Sequence, residues 1–390
     1  MRAFPLDERR ARLGERHHLA APADDLVTAA RAVVGLHASD PSTPYLSARA
    51  RTQDFSQADL ERALYDDREL VRTTLMRKTL FVVGREDIDV LTSAVGPAFA
   101  IGDRRRLEHM LQSQGIAEEP GVWLDDVAQR VIDELAARGE ATAVELREVI
   151  PELRESLTFG EGKSWGGTTG ISTRVLFMLA AGHLIVRGRP LGAWTSSRYR
   201  WALLSAWLGR DLHDVDPTVA RSTLCRRYLT AYGPATFDDL RWWTGWTAGD
   251  ASRALVGSGA TEVDLDGASG WALPDDLEPT EVREDWIALL PALDPTTMGW
   301  KNRSWYLSAH ADRLFDGNGN AGPTIWWNGQ VVGGWAQRKS GEIAVRLLEV
   351  LPRAARERVD AEAEALERWF GAARVTPRFR TPLEREITER

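Results

Sequence analysis

The stretch "VARSTLCRRYLTAYGPATFDDLRWWTG", residues 219–245, decides how this chain folds. It reads as a helix, a turn at Tyr232-Gly233-Pro234, and a second helix opening behind Ala235-Thr236. A small residue followed by a Thr or Asp cap is a regular helix start, because the cap side chain accepts from an otherwise orphaned amide. The same order stands upstream in "DDVAQRVIDELAARGEATAVELREV", residues 125–149, where a Gly turn precedes "ATAVEL". Behind the upstream copy, "STRVLFMLAAGHLIVRGRPLGAWTSSRYRWA" predicts a third helix ending near Gly182, then a strand pair around "GRPLG". Behind the downstream copy, "TAGDASRALVGSGATEVDLDGASGWALP" predicts a third helix and a hairpin through "DGASG".

Three helices and a hairpin make the winged-helix unit, whose third helix is the usual DNA reader and whose hairpin is the wing. Winged helices also dock proteins, so the repeats establish architecture alone. Residues 7–100 fit a degenerate copy, with "SQADLERALYDD" as cap and helix and "LVRTTLMRKTLFVV" as a hairpin. From 283 to 350 the pattern changes to apolar–polar alternation with turns at "NGQ" and "KSGE", which predicts a small antiparallel sheet or partial barrel. "LPRAARERVDAEAEALERWFG" from 351 is an amphipathic helix, and a proline-broken tail follows. The expected fold class is α+β. Winged-helix units occupy 1–118, 119–214 and 215–278, and a C-terminal antiparallel β-barrel-like domain with a helix and tail occupies 279–390.

Composition narrows the function classes. The chain has 390 residues, 43% hydrophobic and 27% charged, enough for several small domains. It holds no apolar run of about 18 residues, so no membrane span or membrane partner is expected. The charged start "MRAFPLDERRARLGERHH" lacks an apolar signal core, which points to the cytoplasm. One cysteine, Cys225, excludes an internal disulfide and a cysteine-built zinc site, and reads as a half-buried core thiol. The seven histidines lack metal-ligand spacing; the adjacent His17-His18 reads as a solvated face. Without a P-loop or a GxGxxG element, no metal and no cofactor is expected. Net charge is −8, yet arginines cluster in "LMRK", "GDRRR", "IVRGR", "SRYR" and "CRRY". A nucleic-acid binder needs one basic face rather than a basic total.

One polar constellation stands out. "VVGLHASDPSTPY", residues 33–45, delivers His37, Ser39 and Asp40 at the end of an apolar run. Thr43-Pro44 is a natural helix start, and Asp40-Pro41 would turn the chain before it. Asp40 can be a turn or cap residue, Ser39 a local hydrogen-bonding residue, and His37 a satisfied core histidine. All three can equally do acid–base or water-orienting work.

Four ordered blocks carry a family resemblance: "VVGLHASDPSTPYLSARAR", "LVRTTLMRKTLFVV", "RRYLTAYGPATFDDLRWWTG" and "LLPALDPTTMGWKNR" with "NGQVVGGWAQR". Together they resemble the AlkZ-like winged-helix DNA glycosylases, which include self-resistance enzymes of producers of DNA-alkylating antibiotics. The resemblance implies three winged-helix domains and a β-barrel-like domain arranged as a C around DNA. It further implies monofunctional, lyase-free excision of N7-alkylated purines, and in some members unhooking of crosslinks. The family's catalytic motif, Gln-apolar-Gln or Gln-apolar-Asp after "GL", falls on His37 and Ser39 with Ala38 between. The departure predicts altered chemistry or lesion preference: His37 taking the water's proton, Ser39 orienting the water, and Asp40 orienting the imidazole or stabilising the sugar cation.

The partner implied is double-stranded DNA carrying alkylated purines, bound by a monomer. Expected DNA contacts are Arg72, Arg77, Lys78, Arg104, Arg105, Arg106, Arg187, Arg189, Arg198 and Arg200, with Trp165 packing on an exposed base or lesion. Trp242, Trp243 and Trp246 read as core or interdomain packing. With four lysines in the chain and only Lys78 near the motif blocks, Schiff-base chemistry is disfavoured. The alternatives are a non-catalytic winged-helix DNA-binding protein, a regulator or lesion sequesterer, and an interaction module with weak, salt-insensitive DNA binding.

Overall fold

Hydroxyl caps set the frame. Ser56, Thr142 and Thr236 each sit in a capping box, with Asp59, Glu145 and Asp239 returning a bond to the cap's own amide. Each box pairs two amides that a helix start leaves open. The computed structural model describes residues 1–96, 98–160, 162, 166–281 and 285–389.

Three stretches share one order of elements. In the first, helix Leu26–Ala32 leads to strand Leu36–His37, helices Thr43–Arg49 and Gln57–Glu61, and the strands Leu70–Thr74 and Leu80–Gly84. In the second, helix Pro120–Arg138 leads to strand Glu140–Thr142, helices Ala143–Val149 and Ile171–Ala181, and the strands Ile185–Pro190 and Tyr199–Leu203. In the third, helices Pro217–Tyr232, Phe237–Thr244 and Ala248–Gly257 precede the strands Thr261–Leu265 and Ala268–Ala272. There a single bridge, Ala235 to Trp271, stands where the other stretches have a short strand. In the first two, that short strand pairs with the last strand, and the sheet order is first, third, second.

The C-terminal sheet is the small antiparallel sheet read from the alternation, and it corrects the β-barrel-like domain that the resemblance implies. Strands Ile287–Leu290, Thr324–Trp327, Gln330–Gln337 and Ile343–Leu347 pair in sequence order, and the two edge strands do not meet. Four short strands cannot wrap round a filled interior. Helix Arg353–Phe370 covers one face instead, its Val359, Ala363, Leu366 and Phe370 packing on Leu289, Ile325, Val332 and Ile343.

The hydrophobic interior falls into unequal parts. Residues 107–203 contain a cluster of their own, which includes Leu107 and Leu111 from helix Ala98–Ser113. The first and third stretches share a larger cluster with the inner side of the C-terminal sheet. A buried polar network ties helix Thr43–Arg49 to the loop before that sheet's second strand. Arg51 donates to both Asp294 oxygens at 2.9 and 2.7 Å and to Thr296 Oγ1 at 2.7 Å. Ser47 Oγ donates to Asp294 at 2.6 Å.

His17 joins the same network, which overturns its reading as a solvated residue. It has no exposed surface, and its Nε2 lies 3.0 Å from the Ala231 carbonyl and its Nδ1 2.8 Å from Thr296 Oγ1. A carbonyl only accepts, so Nε2 carries the proton and Nδ1 accepts from the hydroxyl. Burial, with the Arg51 charge beside it, pulls the pKa of His17 down to about 3. Cys225 is fully buried, as a core thiol.

Candidate active site

The His37 segment is aimed by its backbone. Val34 has φ of 60° and Gly35 has φ of 149°, which swing the chain out of helix Leu26–Ala32 and into strand Leu36–His37. A left-handed valine costs on the order of 1–3 kcal/mol and persists only where its surroundings enforce it. At Gly35 a Cβ would lie 2.8 Å from Val83 Cγ1, so a side chain there would push the strands apart. The register then sets His37 opposite Phe81 and ends the pairing, leaving Ala38 and Ser39 beyond the sheet.

Ala38 and Ser39 form part of the wall of a cleft of about 400 Å3. Helix Ile171–Ala181 supplies Leu176 and Phe177, and the second hairpin supplies Tyr199 and Trp201. Arg187, Arg198 and Arg378 bring three guanidinium groups, and no carboxylate lines the cleft among the described residues. Arg187 lies over the Trp201 ring at 4.6 Å; burial, reinforced by Arg72 and Arg378, pulls its pKa to about 10, so it stays charged at neutral pH. A cationic cleft with aromatic walls suits an anionic ligand that also presents a flat ring.

The three motif residues part company here. Ser39 faces the cleft, and its Oγ accepts a long bond from the Leu80 amide at 3.4 Å. His37 is 3% exposed and does not line the cleft; its ring packs 5.2 Å from Phe81, and its Nδ1 accepts from the Ser39 amide at 3.4 Å. Burial, with a lesser push from the Arg77 charge, lowers its pKa to about 3, so the imidazole is neutral and a weak base. Asp40 does not orient the imidazole. Its Oδ1 accepts from the Ser42 amide at 2.9 Å and the Ser42 hydroxyl at 2.6 Å, and its Oδ2 from the Arg378 amide at 2.7 Å. The Asp-Pro-Ser turn claims the carboxylate, because its short side chain reaches an amide two residues on.

The arginines expected at DNA divide by their partners. Arg187 and Arg198 line the cleft, and Arg105 and Arg106 are exposed with no ion pair among the described residues. Arg104 pairs with Glu108 and Asp125, Arg189 with Glu61 and Asp66, Arg200 with Glu140 and Glu145, and Lys78 with Asp103. Arg77 lies over Trp242 at 4.0 Å. Arg72 is a correction: at 2% exposure, stacked over Tyr199 at 4.9 Å, it has no surface to give a phosphate. Strand Leu70–Thr74 is buried along its whole length, so its side chains face protein on both sides. Trp165 lies outside the described residues. Trp243 and Trp246 are buried, and Trp242 is half-buried.

Arg378 and Phe177 escaped the sequence reading. The basic tail "RVTPRFRTP" was a signal for the first, but distance in sequence hid its meeting with the motif. Phe177 looks like any apolar residue of an amphipathic helix.

The family model described as "DNA glycosylase AlkZ-like" matches residues 30–369. No curated protein matches the chain in sequence. Among solved structures, the Streptomyces sahachiroi DNA glycosylase AlkZ shares the fold. Its TM-score is 0.72 at 21% identity, with 96% of this chain and 98% of that one covered.

Proposed function

The chain belongs to the AlkZ-like DNA glycosylase family, and from that premise we propose that it hydrolyses the N-glycosidic bond of bulky N7-alkylguanine adducts in double-stranded DNA. It acts as a monomer in the cytoplasm, with water as nucleophile and no lyase step, its three repeated units working as winged helices. In this reading it protects a producer of a DNA-alkylating natural product, and crosslink unhooking extends the same chemistry. The observation that carries the proposal is the cleft: Ser39 in its wall, Phe177, Tyr199 and Trp201 for a base, three arginines for phosphate, and no carboxylate among the described lining residues.

N7 alkylation makes the guanine cationic, so the C1′–N9 electron pair leaves with the base and quenches its charge. Water then bonds to the sugar cation at C1′ and releases a proton. A substrate this activated needs an oriented water more than a strong base. Ser39 retains a proton and a lone pair for that task, while neutral His37 behind it fixes the Ser39 main chain. The DNA contacts in this proposal are Arg187, Arg198, Arg105 and Arg106, with Trp165 at the lesion. No lysine lines the cleft among the described residues, and Lys78 is held by Asp103 at 2.8 Å, which fits the absence of a lyase step.

The burial of His37 and the occupied Asp40 favour one second reading, a DNA-binding protein that sequesters lesions without cutting. Incubation with duplexes carrying several N7-guanine adducts separates the two. Free adducted base and abasic sites are expected from the wild type, and their loss in His37→Ala with duplex binding retained. Base release undiminished in that variant removes His37 from the mechanism; none from the wild type leaves the sequestering reading.

A further inference from the structure

Residues 371–380 follow the region matched by the family, 30–369, and bring Arg378 into the wall of the candidate active site. We infer that this strap carries a DNA-contact residue, Arg378, which binds a backbone phosphodiester of the duplex at the cleft, and that Asp40 is the positioning residue that sets it there. The inference rests on the DNA-acting reading above and deepens it.

The strap is held on both sides of Arg378. Before it, the Val375 amide donates to Gln337 Oε1 at 2.8 Å, Gln337 Nε2 donates to the Ala373 carbonyl at 3.1 Å, and Arg374 donates to the Ser340 carbonyl at 2.8 Å. After it, Arg380 pairs with Glu384 at 2.6 Å on helix Pro382–Glu389, whose Leu383 and Ile387 are buried. Between these anchors the Arg378 amide donates to Asp40 Oδ2. Asp40 is 4% exposed, and it grips main chain, so it fixes where Arg378 starts without neutralising its side chain.

That side chain is exposed and has no carboxylate partner among the described residues; its polar contact is a marginal 3.5 Å to the Ser39 carbonyl. Arg104, Arg189, Arg200 and Arg380 all find carboxylates. Arg378 instead faces the cleft with Arg187 and Arg198. Three like charges gathered without a counter-charge repel one another, and an anion relieves that repulsion. A phosphodiester beside an extruded nucleotide would sit within reach of Ser39 and the aromatic walls together.

The test is the salt dependence of binding to an adducted duplex, with base release scored separately. One phosphate contact contributes about 0.9 to the slope of log affinity against log salt, or about fivefold in affinity near 0.15 M salt. Arg378→Gln is expected to lose that slope, and Arg378→Lys to regain it. Arg353→Gln, on the exposed face of the long helix, is expected to leave it unchanged. Asp40→Asn is expected to weaken binding alone, and to add nothing to Arg378→Gln. An unchanged slope in Arg378→Gln overturns the contact, even if affinity falls. So does inhibition of the wild type, and not of the variant, by inorganic phosphate at matched ionic strength with no slope difference, which marks a free-anion site. Full additivity of Asp40→Asn and Arg378→Gln removes the positioning role. A wild type that binds adducted duplex with this slope and releases no base fails the glycosylase reading alone.

Discussion

Substituting His37 by glutamine, the residue the resembled motif carries there, removes a buried titrating group and keeps a polar side chain. Burial, with the Arg77 charge behind it, lowers the folded pKa of His37 to about 3, whereas an unfolded histidine titrates near 6.5. Below pH 6.5 the unfolded chain therefore takes up a proton that the folded chain refuses. The stability this group contributes is complete above about pH 6.5 and is lost progressively as pH falls toward 3. Between pH 6.5 and 4.5 the loss through His37 is about 2 kcal/mol. Urea unfolding at half-unit pH steps measures it. Wild type should lose that much more stability than His37→Gln over the interval, while His17, also near pKa 3, contributes the same fall in both proteins. Parallel pH curves for the two proteins would refute the reasoning, because His37 would then accept a proton in the folded state. The same burial predicts that kcat/KM for excision carries no acid limb near 6.5 from His37.

Asp294→Ala leaves the Arg51 guanidinium buried without its counter-charge, since both side chains have 0% exposure. A loss of about 3–5 kcal/mol is expected in urea unfolding, and replacing both partners by apolar residues should cost much less. Trp194 packs 4.9 Å from Tyr45 and 5.7 Å from Trp369, anchoring the loop that carries Ser197 and Arg198 into the cleft. Trp194→Ala should raise KM for adducted duplex several-fold with a smaller change in kcat, read by steady-state excision kinetics.

Much of this molecule was legible from one dimension. Helix caps at Thr142 and Thr236, the end of the third helix at Gly182, and the hairpins at Asp266-Gly267 and Asn328-Gly329 depend on residues a few positions apart. Local hydrogen bonds and periodicity decide such elements, so the sequence alone determined them, and with them the repeated order of units. The family could be recognised for the same reason, since its blocks are local.

The site was different. Whether the C-terminal strands close, whether His17 and Arg72 meet solvent, and which group Asp40 holds depend on segments brought together across tens to hundreds of residues. The spacing of "HASD" says that His37, Ser39 and Asp40 are neighbours; only packing turns Ser39 to the cleft, buries His37 against Phe81 and gives Asp40 to the tail. Burial and charge pairing are properties of the assembled interior, and they alone decide which of three adjacent polar residues remains free to meet a substrate.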